Sequence, residues 1–110
     1  MNKTMRTAII EALAEEMERD ESVFLIGEDI GEYGGTLQLT VGLYDKFGPE
    51  RVIDTPISES GITGLSIGAA MHGMRPVLEL MFADFLPIAA DQLVNHAAKM
   101  CYSHDGKMKV

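Results

Sequence analysis

The sequence has little cysteine, no tryptophan and few basic residues, and two of these shortages exclude classes of protein. Cys101 is the single cysteine among 110 residues, so an internal disulfide and a CxxC zinc or redox motif are both impossible. A reducing, cytoplasmic location is therefore expected, and the small apolar Cys101 side chain is predicted to be buried. Nine basic residues against seventeen acidic ones give a net charge of −8, which predicts no binding to nucleic acid or to a membrane.

Long apolar runs and the common ligand-binding motifs are also missing. No apolar run approaches the roughly 20 residues of a membrane-spanning helix. The phosphate-binding patterns GxxxxGKS/T and GxGxxG after a strand do not occur. The three histidines His72, His96 and His104 lie far apart without a partner at metal-ligand spacing, so no metal site is predicted.

What the sequence does contain is a regular alternation of helical and strand patterns. An amphipathic helix is predicted over residues 5–19 with Thr4 as its N-cap, and the apolar run 23–26 suits a strand buried on both faces. The remaining predicted elements are helices at 41–47, 60–72 and 83–102 and strands at 51–54, 76–81 and, beginning, at 107–110. This order predicts an α/β fold in which a parallel sheet carries helices on both faces.

Two glutamates follow predicted strands at the edge where open α/β sheets place their ligands. Glu28 lies in a loop, residues 27–36, that holds four glycines and three acidic residues. Glu59 lies at the start of the third helix, where spacing alone favours an ordinary interaction with the helix dipole. That helix also carries Gly61, Gly64 and Gly68, which predict close approach of another backbone because glycine otherwise weakens a helix.

A longer stretch of sequence resembles a known family. Residues 54–85, DTPISESGITGLSIGAAMHGMRPVLELMFADF, resemble the β subunit of the thiamine-diphosphate-dependent decarboxylating component of 2-oxo acid dehydrogenase complexes. The flanking segments RTAIIEALAEEMERDESVFLIGEDIGEYGG and DQLVNHAAKMCY agree with it, so the resemblance runs from about Arg6 to Val110. It implies a thiamine-diphosphate-binding pyrimidine-domain fold. Residues 1–110 are expected to form the N-terminal part of that domain, truncated before its remainder and a separate C-terminal domain.

The resemblance also implies roles for individual residues. Glu59 matches the glutamate that hydrogen-bonds the aminopyrimidine ring nitrogen and so favours the imino tautomer, which deprotonates thiazolium C2. Phe85 matches the aromatic residue that packs against the aminopyrimidine, and Ile57 lies in the stretch lining the same pocket. Glu59 is therefore expected to be partly buried beside Ile57 and Phe85. Glu28 matches an acid assigned to proton relay between paired sites, so Glu59 and Glu28 are the expected catalytic residues.

The implied function is the β-subunit part of a pyruvate-type 2-oxo acid dehydrogenase or an acetoin dehydrogenase, inactive alone. Its partner α subunit, in an α2β2 assembly, would hold the diphosphate and Mg²⁺ through a GDG-containing motif that is absent here. A lipoyl-bearing acyltransferase core would receive the acyl unit. The segment ELMFADF favours pyruvate or acetoin over branched-chain substrates. The alternative is a non-catalytic α/β binding or assembly module. A flavodoxin-like or receiver-type regulatory domain is a third alternative. The lysine at a strand end that such a domain is expected to have is not evident in this sequence.

Overall fold

A parallel three-stranded sheet forms the centre of the computed structural model, which describes residues 2–110. Helix α1 (Met5–Arg19) leads into strand β1 (Val23–Gly27), helix α2 (Leu43–Phe47) and strand β2 (Val52–Asp54). Helix α3 (Glu59–Met71) then precedes strand β3 (Arg75–Glu79). The strand order is β2-β1-β3, with β1 parallel to both neighbours. The predicted α/β fold is confirmed.

Strand β1 lies in the middle of the sheet, as its continuous apolar run predicts. All five of its residues are buried. Side chains alternate between the two faces of a strand, so β1 supplies core residues to helices on both sides. Val23 and Leu25 face one layer, and Phe24 and Ile26 lie on the opposite face.

Helices α1 and α2 cover the first face of the sheet. Thr4 caps α1 as predicted, because its hydroxyl accepts a hydrogen bond from the Thr7 backbone N–H at 3.2 Å. The core on this face joins residues from both helices, two strands and the loop after β1: Met17, Val23, Leu25, Ile30, Leu43 and Val52. Partly buried residues of α1 and α2 pack around this cluster.

Helix α3 packs against β1 and β3 on the other side of the sheet. Ile62 and Ile67 supply its buried apolar residues. Its buried hydroxyls bond within the helix: Thr63 Oγ1 donates to the Glu59 carbonyl at 2.6 Å, and Ser66 Oγ to the Ile62 carbonyl at 2.8 Å. These two hydroxyls therefore enter this layer with a hydrogen-bond partner. The predicted helices on both faces are confirmed.

The C-terminal segment departs furthest from the predictions. The single helix predicted over 83–102 is divided into a 3₁₀ turn (Ala83–Phe85), helix α4 (Leu86–Asp91), a π-helical stretch (Gln92–Ala97) and helix α5 (Ala98–Ser103). The strand predicted over 107–110 is wrong, because these residues join no ladder within residues 2–110.

Two smaller predictions also need correction. Cys101 is exposed on α5 rather than buried, since α5 contributes no buried residue. Of the α3 glycines, Gly64 closely faces another segment, because a Cβ there would lie 3.0 Å from the Gln92 side-chain oxygen. A Cβ on Gly68 would meet nothing, and one on Gly61 would meet only the nearby Ser58 side chain, so the expected backbone approach is not found among the described residues. No helix in this part of the chain has the length and apolar character needed to cross a membrane.

Candidate functional site at the carboxyl edge of the sheet

The three strands end in one row, and acidic residues line that row. The register pairs Gly27 of β1 with Asp54 of β2 on one side and with Glu79 of β3 on the other. Glu28 follows directly after β1, and Glu59 begins α3 five residues after β2. Both glutamates predicted from the sequence therefore belong to segments that leave the carboxyl edge of the sheet, where ligands bind in open α/β folds.

Hydrogen bonds fasten the loop after β1 to the loop after β2. Asp54 Oδ1 accepts from the Gly31 backbone N–H at 2.7 Å, and the Thr55 N–H donates to the Gly27 carbonyl at 2.9 Å. Gly31 is required here, since a Cβ at this position would collide with the Asp54 carboxylate. Ile30 is fully buried and anchors the same loop in the core. The edge is therefore ordered by contacts between residues more than 20 positions apart.

Glu28 takes part in this network through its side chain. It is buried, with 7% of its surface exposed, and its Oε1 accepts a hydrogen bond from the Ser58 backbone N–H at 3.0 Å. Ser58 is the residue immediately before Glu59 and the N-cap of α3. The fold thus joins Glu28 to the segment that carries Glu59.

Glu59 as a residue is 8% exposed, and its carboxylate forms no hydrogen bond or ion pair within residues 2–110. Its oxygens are not among the fully buried side-chain atoms without a partner, which are Thr55 Oγ1 and Glu79 Oε2, so the carboxylate still reaches solvent. The Glu59 main-chain carbonyl accepts a hydrogen bond from the Thr63 hydroxyl. The Thr55 hydroxyl, in the loop leading to α3, is fully buried without a partner. Buried polar groups are normally hydrogen-bonded. The Glu59 carboxylate is free to form a hydrogen bond with a ring nitrogen or N–H of a ligand, which is compatible with an aminopyrimidine.

The two apolar residues predicted for the site are placed less centrally. Ile57 is 82% exposed, so it contributes little to the partial burial of Glu59 that was expected beside Ile57 and Phe85. Phe85 is half-buried and packs edge-to-face on Phe82, with ring centroids 5.8 Å apart. It directly precedes α4, which packs against α3. The burial of Glu59 therefore comes from sources other than Ile57.

Glu79 is an acid of this edge that the sequence predictions missed. Its Oε2 is buried without a partner, and a Cβ on Gly35 would lie 3.5 Å from that oxygen. Burial raises the pKa of the Glu79 carboxyl above its ordinary value of 4.5. With Leu25, Thr40 and Val77 it lines a cavity of about 180 Å³ that includes none of the four predicted site residues. The sequence offered no positional signal for Glu79, because the strand predicted over 76–81 placed it inside the strand, whereas β3 ends at Glu79.

No set of three or more His, Cys, Asp or Glu side chains in the described residues is grouped so that it could hold a metal ion. What the edge offers instead is the Glu59 carboxylate, which has no protein partner and reaches solvent from a largely buried residue at the start of α3. That arrangement suits hydrogen bonding and proton exchange with a nitrogen base.

Comparison with protein families identifies the fold. Residues 1–105 match the family model described as "Transketolase, pyrimidine binding domain". The chain belongs to this family. The match covers nearly all of the chain, including every strand of the sheet and the loops that carry Glu28 and Glu59. A flavodoxin-like or receiver-type identity is therefore set aside in favour of the transketolase pyrimidine-binding domain.

The most similar relatives include β subunits of 2-oxo acid dehydrogenases. The chain is 56% identical over 95 residues to the 2-oxoisovalerate dehydrogenase subunit beta of Bacillus subtilis, covering 86% of this chain and 29% of that protein. It is 51% identical over 107 residues to the mitochondrial pyruvate dehydrogenase E1 component subunit beta-2 of Oryza sativa, covering 97% and 28%. It is 50% identical over 109 residues to the corresponding Rickettsia conorii subunit, covering 99% and 33%. The chain thus spans about a third or less of these relatives' lengths.

Proposed function

We propose that this chain is the cofactor-activating part of a β subunit in a thiamine-diphosphate-dependent 2-oxo acid dehydrogenase. The observation that carries the proposal is the Glu59 carboxylate, which belongs to a largely buried residue, reaches solvent and has no partner in the described residues. Membership of the pyrimidine-binding family and the names of the relatives support the same assignment.

Glu59 is the proposed catalytic acid. When bound, thiamine diphosphate supplies a nucleophilic thiazolium carbon that adds to the keto group of a 2-oxo acid. Glu59 would bind the aminopyrimidine ring nitrogen and hold the shared proton between that nitrogen and its own carboxyl oxygen. A positioned acid of this kind contributes typically 10²- to 10⁴-fold to rate.

The other site residues have supporting roles in the proposal. Phe85 would pack against the aminopyrimidine ring, and the exposed Ile57 would complete the pocket wall when the ligand and a partner subunit are present. Glu28 is the second proposed acid, with the relay of protons as its expected role. The site is open on the Ile57 side, which is compatible with completion by another chain.

The proposed assembly pairs this β-subunit segment with an α subunit, in an α2β2 arrangement, that holds the diphosphate and Mg²⁺. A lipoyl-bearing acyltransferase would receive the acyl product. Pyruvate or acetoin remains the proposed substrate class from the ELMFADF segment, although the relatives include both a branched-chain and pyruvate dehydrogenases. The chain alone is expected to be inactive, because the proposed site is completed by its partner.

The proposal is tested by titrating thiamine diphosphate with Mg²⁺ into the enzyme assembled from this chain and its α subunit. Decarboxylation of pyruvate and of 2-oxoisovalerate would be followed with an artificial electron acceptor. The variant Glu59→Gln should lower kcat by about 10²- to 10⁴-fold. Glu15→Gln is the matched control, because Glu15 is an exposed acid on α1.

Each outcome of this experiment has a clear meaning. Cofactor binding with turnover that depends on Glu59 supports the proposal. Turnover unaffected by Glu59→Gln would remove Glu59 from the mechanism. Failure of the chain to associate with an α subunit would favour the non-catalytic binding or assembly module.

A further inference from the structure

The Glu28 side chain makes a direct contact with the backbone that carries Glu59. Its Oε1 lies 3.0 Å from the Ser58 backbone nitrogen, which donates the hydrogen bond. Both partners are withdrawn from solvent, since Glu28 is buried and Ser58 partly buried. A charged acceptor bonded to an N–H in such surroundings forms one of the stronger classes of protein hydrogen bond.

Ser58 depends on this contact because it lacks the usual means of fixing a helix start. It is the N-cap of α3, yet its hydroxyl donates to the Pro56 carbonyl at 2.9 Å and caps no backbone N–H of the helix. Its backbone is extended, with φ −170° and ψ 58°. Its carbonyl accepts the first helical hydrogen bond, from the Ile62 N–H at 2.9 Å, so the contact with Glu28 fixes the other side of Ser58, the peptide by which the chain enters α3 and Glu59.

Glu28, the acceptor in this contact, belongs to a segment that is held firmly by other hydrogen bonds. Glu28 directly follows β1, and the loop after it is tied down by the Asp54–Gly31 and Thr55–Gly27 hydrogen bonds described above. A further bond, from Thr40 Oγ1 to the Ile30 carbonyl at 2.7 Å, closes the same loop on itself. Glu28 is thus a fixed acceptor that holds the start of α3 through the Ser58 N–H.

We infer that Glu28 is a positioning residue that fixes the orientation of Glu59 through the Ser58 N–H. Only the acceptor oxygen is needed for this task, and neither a charge nor a transferable proton is required. The task is additional to the proton relay expected from the family resemblance, and the two make different demands on the side chain. The part of the inference that concerns catalysis rests on the proposed function, whereas the hydrogen bond itself does not.

The test compares Glu28→Gln with Glu28→Ala. Glutamine keeps a carbonyl oxygen that accepts from Ser58 but cannot relay a proton, whereas alanine loses both properties. Glu32→Gln and Glu32→Ala are the matched controls, because Glu32 is an exposed acid of the same loop. The first readout is hydrogen exchange of the Ser58 amide in the ¹⁵N-labelled chain, measured by NMR without cofactor.

In this measurement the Ser58 amide should exchange roughly ten- to a hundredfold faster in Glu28→Ala than in the wild type, and little faster in Glu28→Gln. The Thr55 amide, bonded to Gly27, is an internal reference in the same spectrum. If it also loses protection, the loop has unfolded, and the comparison then rests on Glu28→Gln and on the less disruptive Glu28→Asn. Unchanged Ser58 exchange in Glu28→Ala would overturn the inference.

The second readout is turnover in the assembled enzyme. A positioning role predicts that Glu28→Ala loses at least tenfold more kcat than Glu28→Gln, with a smaller change in KM, because any loss in Glu28→Gln reports proton relay alone. Equal losses in both variants, with Ser58 exchange unchanged, would assign Glu28 to proton relay alone and overturn the inference. If the assembly shows no turnover at all, the proposed function fails, but the exchange measurement still decides whether the contact holds the Ser58 peptide.

Discussion

Strands β1 and β3 are hydrogen-bonded neighbours of equal length, but they have different surroundings. Every residue of β1 is buried, whereas β3 has a mixture of exposed and partly buried residues, with Val77 40% exposed. The segment that follows β3 continues this contrast, since Ala89 is its one buried apolar residue. Both predicted acids belong to loops anchored by β1 and β2. The lesson is that the candidate site is built on the best-packed part of the described chain.

The largest expected effect is the difference in unfolding free energy lost when a residue is truncated in β1 and when one is truncated in β3. Leu25→Ala in β1 should lower the free energy of unfolding by about 2–5 kcal/mol, because Leu25 is 2% exposed and lies in the core cluster. Val77→Ala in β3, at the position paired with Leu25, should cost less than about 1 kcal/mol. Urea unfolding of the two variants measures the difference. Equal costs would show that β3 is packed as tightly as β1.

A smaller effect on stability is expected from substituting two arginines, one bonded to the start of β1 and one at the start of β3. The Arg51 guanidinium donates to the Val23 carbonyl at 2.6 Å, the Met17 carbonyl at 3.0 Å and the Asp20 carbonyl at 3.1 Å. It therefore ties the end of α1 to the start of β1, and Arg51→Met should cost about 1.5–3 kcal/mol.

Arg75, at the start of β3, is the matched control for Arg51. Its side chain is 73% exposed and forms an ion pair with Asp20 at 3.3 Å. Arg75→Met should therefore change the free energy of unfolding by less than about 1 kcal/mol, and added salt should reduce the difference further. A loss as large as that of Arg51→Met would contradict the contrast between the two strands.

The smallest expected effect is a pH dependence at the end of β3. Because the pKa of Glu79 is raised by burial, the unfolded chain loses this proton at a lower pH than the folded protein does. Stability therefore falls as the pH rises through the folded pKa. Glu79→Gln should be more stable than the wild type at pH 7.5, by less than about 1 kcal/mol given the partial exposure of the side chain.

This gain should disappear below pH 4.5, where the carboxyl is protonated in both states. Urea midpoints of both proteins at pH 4 and 7.5 measure it. Glu15→Gln, which removes an exposed acid from α1, is the control for loss of a surface negative charge. A gain for Glu79→Gln of the same size at both pH values would indicate that the gain does not come from removing a charged carboxylate from a buried position.

The part of the fold that could be predicted from sequence is the part stabilised by local pattern and burial together. The run 23–26 predicted a strand buried on both faces, and Thr4 predicted the start of α1, both of which are found. The strand over 107–110 was predicted wrongly. A strand forms only beside another strand, and a local sequence pattern does not show whether such a neighbour is present. The π-helical stretch at Gln92–Ala97 likewise has no signature in apolar spacing.

For the candidate site, sequence identified the acids but not their connections. Glu28 and Glu59 were expected at the sheet edge because each follows a strand, and that is where they lie. The hydrogen bond from Ser58 to Glu28 depends on strand register, which a single sequence does not specify for parallel strands. The exposure of Ile57 also depends on tertiary placement, since an isoleucine beside a buried glutamate would ordinarily be expected inside.

The common end row of the three strands has a consequence for the order in which the chain folds. Glu28 and Ser58 are 30 residues apart, and Gly31 and Asp54 are 23 apart, so neither contact can form before β2 has docked beside β1. Contacts of such separation require the closure of long loops and form slowly compared with helices. The edge that carries the two glutamates should therefore become ordered after α1 has formed, together with the pairing of β1 and β2.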